Sequence, residues 1–338
     1  MSITDSSTIW LADAEKTRNA GQSLAQTLYH MPVDILLMGE IGTGKTTFLQ
    51  GFAEGLGIRT RLTSPTFALE QRYMTSREHS FIHIDLYRLT PAQSEKILFQ
   101  TNDHRGIRCI EWADRIPNLA EHPRILLRFS EKDDGRLLHV SFEDIPLFTE
   151  KTVDEWRTHV HLPANIIKHC EVVADVAQKL AQHLLSQGTI VRMQTLKLAA
   201  LTHDLFRFID FGFTTYSPHT AVSETEKQRW EHLRSQYAGL HHEDACAAFL
   251  SEQGYPSIAS IVQCHGVHLP PKEASTIEQR LLYYSDKRVS HDQVVDVVER
   301  FREFAARYNG NIESDASLLW KKSAQLIERD LFPEGPPF

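Results

Sequence analysis

The feature that most constrains the fold is a glycine-rich octapeptide near the front of the chain. Residues 39–46 read Gly-Glu-Ile-Gly-Thr-Gly-Lys-Thr and fit the pattern G-x-x-x-x-G-K-[ST] at every fixed position. They follow the apolar run Val33–Met38 and precede a helical stretch, which is the strand, loop and helix context that the pattern requires. The sequence therefore predicts a phosphate-binding loop in an α/β domain with a mainly parallel sheet.

The residue types of this loop suit a nucleotide with Mg²⁺. Three glycines let backbone N–H groups face phosphate oxygens, and the following helix N-terminus adds a partial positive charge. Lys45 is expected to bridge the β- and γ-phosphates, and Thr46 to ligate Mg²⁺. The predicted nucleotide contacts are Gly39, Glu40, Ile41, Gly42, Thr43, Gly44, Lys45, Thr46, Thr47, Thr66 and Trp112.

Two carboxylates follow further apolar runs and complete the predicted nucleotide site. Asp85 ends one run as a metal-positioning carboxylate should, and Glu111 ends another, where it would ligate the metal and activate the attacking water. Thr66, in the segment Leu-Thr-Ser-Pro-Thr-Phe, would sense the γ-phosphate as switch threonines do. A strand-terminal aspartate and a core tryptophan at position 112 are the plainer interpretations. The predicted catalytic set is Lys45, Asp85 and Glu111.

Length and composition bound the class of protein. A chain of 338 residues exceeds the usual size of one hydrophobic core, which predicts two domains. The formal net charge of −8 is shared by both halves, so neither half has on average the basic composition that favours tight binding to nucleic acid, and this average leaves a local basic patch open. The four cysteines stand singly, which favours a reducing compartment, and no apolar run is long enough to span a membrane. The predicted location is the cytoplasm.

A change of pattern near residue 146 sets the predicted domain boundaries. Residues 1–146 form the predicted phosphate-loop domain, residues 147–163 a linker, and residues 164–338 an all-α domain. The predicted strands cover residues 33–38, 81–86, 108–111, 124–129 and 137–142. The predicted helices of the second half cover residues 165–186, 193–206, 223–237, 242–252, 256–265, 273–286, 291–308 and 314–331.

A series of motifs in the first half resembles one family. The series is Gly-Glu-Ile-Gly-Thr-Gly-Lys-Thr-Thr-Phe, Leu-Thr-Ser-Pro-Thr-Phe, His-Ile-Asp-Leu-Tyr-Arg-Leu and Ile-Glu-Trp-Ala-Asp-Arg-Ile-Pro, in this order. It is similar to the TsaE family, the bacterial ATPase subunit of tRNA threonylcarbamoyladenosine biosynthesis. The resemblance spans roughly residues 5 to 143 and covers the site residues named above. It implies that the nucleotide is ATP, bound with Mg²⁺, and that the threonylcarbamoyl transferase and its partner subunit are partners, with tRNA contacted indirectly through that complex.

Histidines of the second half fall on the apolar faces of predicted helices. Each is in phase with Leu, Ile, Val or Ala residues on its own helix, and two aspartates accompany them. The predicted metal ligands are His169, His203, Asp204, His242, His265 and Asp286. A single histidine on an apolar face is more often a hydrogen-bonded core residue than a ligand. Burying this many imidazoles and carboxylates would be costly without a divalent cation as their common partner.

Mixed His and Asp ligands without cysteine favour Mn²⁺, Fe, Mg²⁺, Co or Ni over structural zinc, and two metals would activate a water and clamp a phosphate. The ordered set resembles the HD-domain metal-dependent phosphohydrolases, with His169, the pair His203 and Asp204, and Asp286 as the signature. Asp204 is the catalytic residue that this resemblance implies. His241 is an alternative to His242, and the second His-Asp pair, His291 and Asp292, is expected to begin a helix and to take no part in catalysis.

Two functional hypotheses stay open at the level of sequence. The first is an ATPase subunit for tRNA modification fused to a phosphohydrolase that acts on a phosphorylated small molecule or a nucleotide. The second is a regulatory nucleotide switch fused to a catalytically silent module that binds a partner or ligand.

Overall fold

The structure, a computed structural model, divides the chain into two compact units. It describes residues 4–65, 69–116, 122–210, 222–266, 271–272, 275–308 and 315–338. One unit comprises Ser2–Pro146 together with His183–Met193, and the other comprises Leu147–Gln182 and Gln194–Phe338. The first unit is an α/β phosphate-loop fold and the second is helical, as the sequence predicts.

The first unit is built on a seven-stranded sheet with strand order β1-β7-β6-β2-β5-β4-β3. The strands are β1 (Asp5–Leu11), β2 (Val33–Met38), β3 (Glu70–Met74), β4 (Ser80–Asp85), β5 (Ile107–Glu111), β6 (Arg124–Lys132) and β7 (Gly135–Glu143). The four central strands β6, β2, β5 and β4 are parallel, and the remaining pairings are antiparallel. Every residue of β2 is buried, which explains why five of its six residues are apolar, and the sixth, Asp34, accepts from Arg108 Nε at 2.7 Å.

Three helices belong to this unit: α1 (Ala14–Leu24), α2 (Lys45–Gly55) and α3 (Pro91–Gln100). Helix α3 begins with a capping box, in which Thr90 and Gln93 satisfy each other's backbone N–H groups, and Pro91 suits the first helical position. Phe48, Phe52 and Leu24 of α2 and α1 pack with one face of the sheet. The carboxyl end of β2 leads directly into the phosphate loop.

The segment His183–Met193 lies far along the chain but packs in the first unit. Ile190 is buried in its core cluster, and its backbone N–H donates to Ser23 Oγ at 2.9 Å. Arg192 is fully buried, and its two terminal nitrogens each donate to one carboxylate oxygen of Asp144 at 2.7 Å. The core of the first unit is therefore completed by residues that follow Pro146.

The helices of the second unit are α4 (Glu150–His159), α5 (Ala164–Ser186), α6 (Met193–Thr202), α7 (Glu224–Gln236), α8 (His242–Glu252), α9 (Pro256–Gln263), α10 (Ile277–Asp286), α11 (Val297–Tyr308) and α12 (Asp315–Leu331). The ends of α5 and α6 extend into the segment 183–193 described above. Side chains of Ser223 and Thr276 cap α7 and α10 in capping boxes. No helix among the described residues is long and apolar enough to cross a membrane.

Local predictions failed at three places. Residues 147–163, predicted as a linker, contain helix α4, which Thr149 caps. The edge strands β1 and β3 were not predicted. The prediction that His291 and Asp292 begin a helix was wrong, because they form the turn between two short strands, β8 (Val289–Ser290) and β9 (Gln293–Val294). Helix α11 begins six residues after His291, at Val297.

Candidate active sites

The phosphate loop connects β2 to α2 at the carboxyl edge of the sheet. Gly39 has φ 131° and Gly44, the residue before α2, has φ 100°, a region that other residues rarely adopt. A Cβ on Gly39 would lie 2.4 Å from the carbonyl oxygen of Phe129 on neighbouring β6. Backbone conformation and close packing therefore both require glycine, and the loop has the shape that the motif predicts.

Lys45 is held inside this loop. Its Nζ donates to the carbonyl oxygens of Gly39 and Glu40, at 2.7 Å each, and lies 4.2 Å from the ring centroid of Trp112. Burial lowers the pKa of the Lys45 amine, and the nearby carboxylates of Glu111, Asp114 and Asp85 oppose that effect. A cation enclosed by acceptors is suited to exchange them for phosphate oxygens.

Asp85 and Glu111 lie side by side because they are register partners on the parallel strands β4 and β5. Both are buried. Thr46 Oγ1 lies 3.2 Å from each carboxylate oxygen of Glu111, and Ser64 Oγ donates to Asp85 Oδ2 at 2.9 Å. Hydroxyl and carboxylate oxygens therefore gather beside Lys45, and a set of hard oxygen donors fits Mg²⁺.

The other predicted nucleotide contacts lie on or next to the loop. Thr43 is buried and donates to the carbonyl oxygen of Glu40 at 2.8 Å, whereas Ile41 is 64% exposed. Gly42 has φ 85°, and Thr47 lies in the first turn of α2. Thr66 lies outside the described residues.

Sequence reasoning missed His83, and it also missed Tyr87 and Arg115, which pack against the predicted contact Trp112. His83 is fully buried, and its Nε2 lies 2.9 Å from Glu111 Oε1. The signal was available, because His83 stands two residues before Asp85 and therefore shares its face of the strand. Trp112 has the left-handed φ of 63°, its ring lies 4.9 Å from the ring of Tyr87, and Arg115 lies over both rings.

In the helical unit, six predicted ligands come from five places in the fold and all are buried. His169 lies on α5, His203 and Asp204 directly follow α6, and His242 is the first residue of α8. The remaining two are His265, just after α9, and Asp286, the last residue of α10. His241 is exposed at the cap of α8, so the structure places His242 rather than His241 with the other ligands.

One group of potential ligands contains His169, His203 and Asp286. His169 Nε2 lies 3.1 Å from Asp286 Oδ1, and His203 Nε2 lies 3.7 Å from the same oxygen. Lys287 Nζ contacts Asp286 Oδ2 at 2.5 Å. Burial opposes ionisation of Asp286, but Lys287 and the two histidines hold the pKa of its carboxyl well below the usual range.

A second group gathers around Asp204. His203 Nε2 lies 3.8 Å from Asp204 Oδ2, and the other oxygen, Oδ1, lies 3.2 Å from His242 Nε2 and 3.5 Å from His265 Nε2. His242 and His265 face each other, with 3.1 Å between their Nε2 atoms. Asp204 thus connects the two groups, since its two oxygens approach different histidines.

Backbone carbonyls orient three of these imidazoles. Nδ1 of His169, His203 and His265 donates to the carbonyl oxygens of His291, Ala200 and Val262, respectively. This leaves each Nε2 as a lone pair directed into the cluster, the arrangement that histidine ligands of metals have. Among the described residues, the buried Nε2 of His203 has no hydrogen-bond partner. A divalent cation accounts for this atom, so the residues present fit a metal.

His242 is oriented by carboxylates that the sequence analysis did not select. Its Nδ1 contacts Asp210 and lies 2.9 Å from Glu243 Oε2, while the Arg207 guanidinium lies 3.1 Å from the ring nitrogens. Burial and Arg207 lower the pKa of His242, but hydrogen bonds to Asp204, Asp210 and Glu243 outweigh them and raise it to about 10. The carbonyl of His291 is a further contribution missed, because it comes from the main chain.

Comparison with known proteins adds family evidence for the first unit. Residues 11–138 match the sequence model of "Threonylcarbamoyl adenosine biosynthesis protein TsaE". A curated tRNA threonylcarbamoyladenosine biosynthesis protein TsaE from Nostoc is 40% identical over 122 residues, which cover 35% of this chain and 74% of the relative. The chain belongs to the TsaE family. TsaE from Synechocystis is 38% identical over 115 residues, covering 32% of this chain and 72% of the relative.

The TsaE part carries the complete phosphate loop, and it is a P-loop ATPase. Among solved structures, YdiB from Bacillus subtilis is similar with a TM-score of 0.33 and 27% identity, covering 42% of this chain and 89% of YdiB. A structure described as a predicted HD superfamily hydrolase involved in NAD metabolism, from Clostridium acetobutylicum, is similar with a TM-score of 0.32 and 12% identity. It covers 53% of this chain and 98% of that protein. The function proposed for the helical unit therefore rests on its own residues.

Proposed function

We propose that the first unit hydrolyses ATP at the site formed by Lys45, Thr46, Asp85 and Glu111. The observation that carries this proposal is the 3.2 Å contact of the Thr46 hydroxyl with both carboxylate oxygens of Glu111, whose register partner on the next strand is the buried Asp85. Bound Mg²⁺ would neutralise the negative charge of the phosphates during hydrolysis. Thr46, Asp85 and Glu111 are the residues that would hold it.

The remaining groups have distinct roles in this proposal. Lys45 leaves the carbonyl oxygens of the loop and donates to the phosphates. Glu111 orients and deprotonates the attacking water, and His83 keeps the Glu111 carboxylate in position through its 2.9 Å contact. Trp112 covers Lys45 and excludes water from its amine. In this proposal, Thr66 senses the γ-phosphate.

We further propose that this ATPase supports the biosynthesis of threonylcarbamoyladenosine in tRNA, the process named in the descriptions of its relatives. Its partners would be the threonylcarbamoyl transferase and its partner subunit, with tRNA reached through that complex. The test is to delete the gene in a host with no second copy and measure threonylcarbamoyladenosine in bulk tRNA by mass spectrometry. We expect loss of the nucleoside and rescue by the wild-type gene but not by Lys45→Ala. An unchanged level would favour the regulatory switch.

We propose that the helical unit is a metal-dependent phosphohydrolase. The observation that supports this best is the convergence of four buried imidazoles and two buried carboxylates, with the Nε2 of His203 left without a hydrogen bond. Mixed nitrogen and oxygen donors suit Mn²⁺, Fe, Co, Ni or Mg²⁺. One or two such ions would activate a water and stabilise the charge of a phosphate.

The ligands in this proposal divide between two positions that share Asp204. His169, His203 and Asp286 lie on one side, and His242 and His265 lie on the other. Asp204 contacts histidines of both groups and would also orient the attacking water. The proposed substrate is a phosphorylated small molecule or a nucleotide.

Metal analysis and a substrate panel test this proposal. Purified full-length protein should contain near-stoichiometric Mn, Fe, Co or Ni by inductively coupled plasma mass spectrometry. It should also release phosphate from one member of a nucleotide panel with added Mn²⁺, including when Lys45→Ala removes the ATPase background. Protein that binds no metal and releases no phosphate would support the silent binding module.

A further inference from the structure

Arg136 is a half-buried arginine outside the proposed catalytic and metal sites. It is the second residue of β7, and it pairs in register with Leu11 of β1 and Glu131 of β6. Its guanidinium forms no hydrogen bond or ion pair with any described residue, although Glu131 is its cross-strand neighbour. A guanidinium without a partner among the described residues can bind an anion, so the surroundings of Arg136 are informative.

The register shows which face of the sheet Arg136 occupies. Side chains alternate along a strand, so Arg136 shares a face with Leu138 and Val140. Leu138 and Val140 pack in the core cluster with Phe48 and Leu49 of α2. Arg136 therefore lies on the face that carries α2, the helix whose first turn belongs to the phosphate loop.

The side chain of Arg136 reaches that loop. A Cβ placed on Gly44 would lie 3.3 Å from both Cδ and Nε of Arg136, which is close van der Waals contact. The end of β6 and the start of β7 are also at the carboxyl edge of the sheet, because β6 runs parallel to β2. The guanidinium is thus held against the backbone of the phosphate loop, beside the N-terminus of α2.

Arg136 approaches the loop from the side opposite to the metal carboxylates. Strands β6 and β7 lie on one side of β2, while β5 and β4, with Glu111 and Asp85, lie on the other. The phosphoryl group that is transferred must lie on the carboxylate side, next to the metal and the attacking water. The remaining phosphates of the nucleotide would then extend toward the side of Arg136.

We propose that Arg136 binds a non-transferred phosphate of the nucleotide and is a nucleotide-binding residue of this ATPase. This inference rests on the proposed ATP site. The guanidinium donates charge-assisted hydrogen bonds to phosphate oxygens that ATP and ADP share. Because such a contact is the same before and after γ-phosphate transfer, it contributes to nucleotide affinity and not to the rate of the chemical step.

The test compares Arg136→Gln with Lys132→Gln in the full-length protein. Lys132 pairs with Gly135 in the same hairpin but on the opposite face, so the control removes an equal charge without facing α2. For Arg136→Gln, we expect the Kd of ADP from calorimetry and the KM of ATP to rise about tenfold each, with kcat changed less than about twofold. Lys132→Gln should bind ADP as the wild type does, and Arg136→Lys should fall between the two because it keeps the charge and loses the fork.

The outcomes separate this inference from the proposed ATPase site. Wild-type affinity for ADP in a folded Arg136→Gln variant, or a loss limited to ATP, would overturn the role of Arg136 and leave the ATPase site intact. Failure of the wild type to bind either nucleotide would instead refute the site itself. If Arg136→Gln melts early by circular dichroism, Arg136→Lys decides: weaker ADP binding at an unchanged Tm supports the inference, and unchanged binding contradicts it.

Discussion

The two candidate sites are built in different ways. In the TsaE unit, most contacts come from eight consecutive residues and from the ends of two neighbouring parallel strands. In the helical unit, the six predicted ligands come from five separate places spread over more than a hundred residues. A contiguous loop fixes its geometry through local backbone conformation, whereas a dispersed centre depends on how helices pack. Variants that damage one site by a local change should therefore leave the other intact.

The largest effect is expected for Lys45→Ala. The variant removes the cation that the loop holds beside Glu111 and Asp85, so ATP turnover should fall by about a thousandfold. Phosphate release measured at saturating ATP checks this. Metal content of the helical unit should not change, and a parallel loss of metal would contradict the separation of the two sites.

The two His-Asp pairs provide a matched test of the dispersed centre. Asp204→Ala removes the carboxylate that contacts histidines of both groups, and it should weaken metal binding by about a hundredfold or more. Asp292→Ala changes the same dipeptide in the exposed hairpin turn and should bind metal like the wild type. Titration of the apoprotein with Mn²⁺ measures both variants. Equal loss in the two variants would show that Asp204 has no special role.

The segment His183–Met193 provides a test of whether residues after Pro146 stabilise the first unit. Asp144→Asn leaves the fully buried Arg192 without its ionic partner, so the free energy of unfolding should fall by about 3 kcal/mol. Glu150→Gln removes an exposed partner of Lys197 and should cost less than about 1 kcal/mol. Urea unfolding followed by circular dichroism compares them, and similar losses would mean that the buried pair adds little.

A smaller effect is expected for His83→Ala. Glu111 would keep its contact with Thr46 but lose the 2.9 Å contact that His83 provides, so kcat for ATP should fall about tenfold. His83→Asn retains a donor on a shorter side chain and should recover part of that loss. A kcat that stays at the wild-type value in His83→Ala would exclude a positioning role for this histidine.

The same contrast between local and dispersed features explains how much of the fold can be predicted from the sequence. Strand β2 and the loop after it are predictable because a fully buried strand and a glycine motif are both local signals. The edge strands β1 and β3 were missed because each has a partly exposed, polar sequence without a long apolar run. The place of Arg192 in the first unit was also missed, since nothing near residue 192 shows that its partner is Asp144.

The candidate sites show the same limit. Helical periodicity predicted that these histidines are buried, because it records which face of a helix is buried, and their role as metal ligands stays a prediction. Asp210 and Glu243 were missed because their contact with His242 depends on the path of the chain after α6 and on packing around α8. The alternation of side chains along a strand could have identified His83, because it stands two residues before Asp85 and shares its face.

The hairpin turn at His291 has a consequence for which residues can occupy that position. Its contribution to the centre is a main-chain carbonyl that accepts from His169, and its φ is 55°. Any residue that tolerates the left-handed region can supply that oxygen, and glycine, asparagine and aspartate tolerate it best. In related chains we expect position 291 to be occupied by any of these residues, while position 169 remains histidine. The hydrogen bond to His169 would then persist even though the residue that supplies the carbonyl oxygen changes.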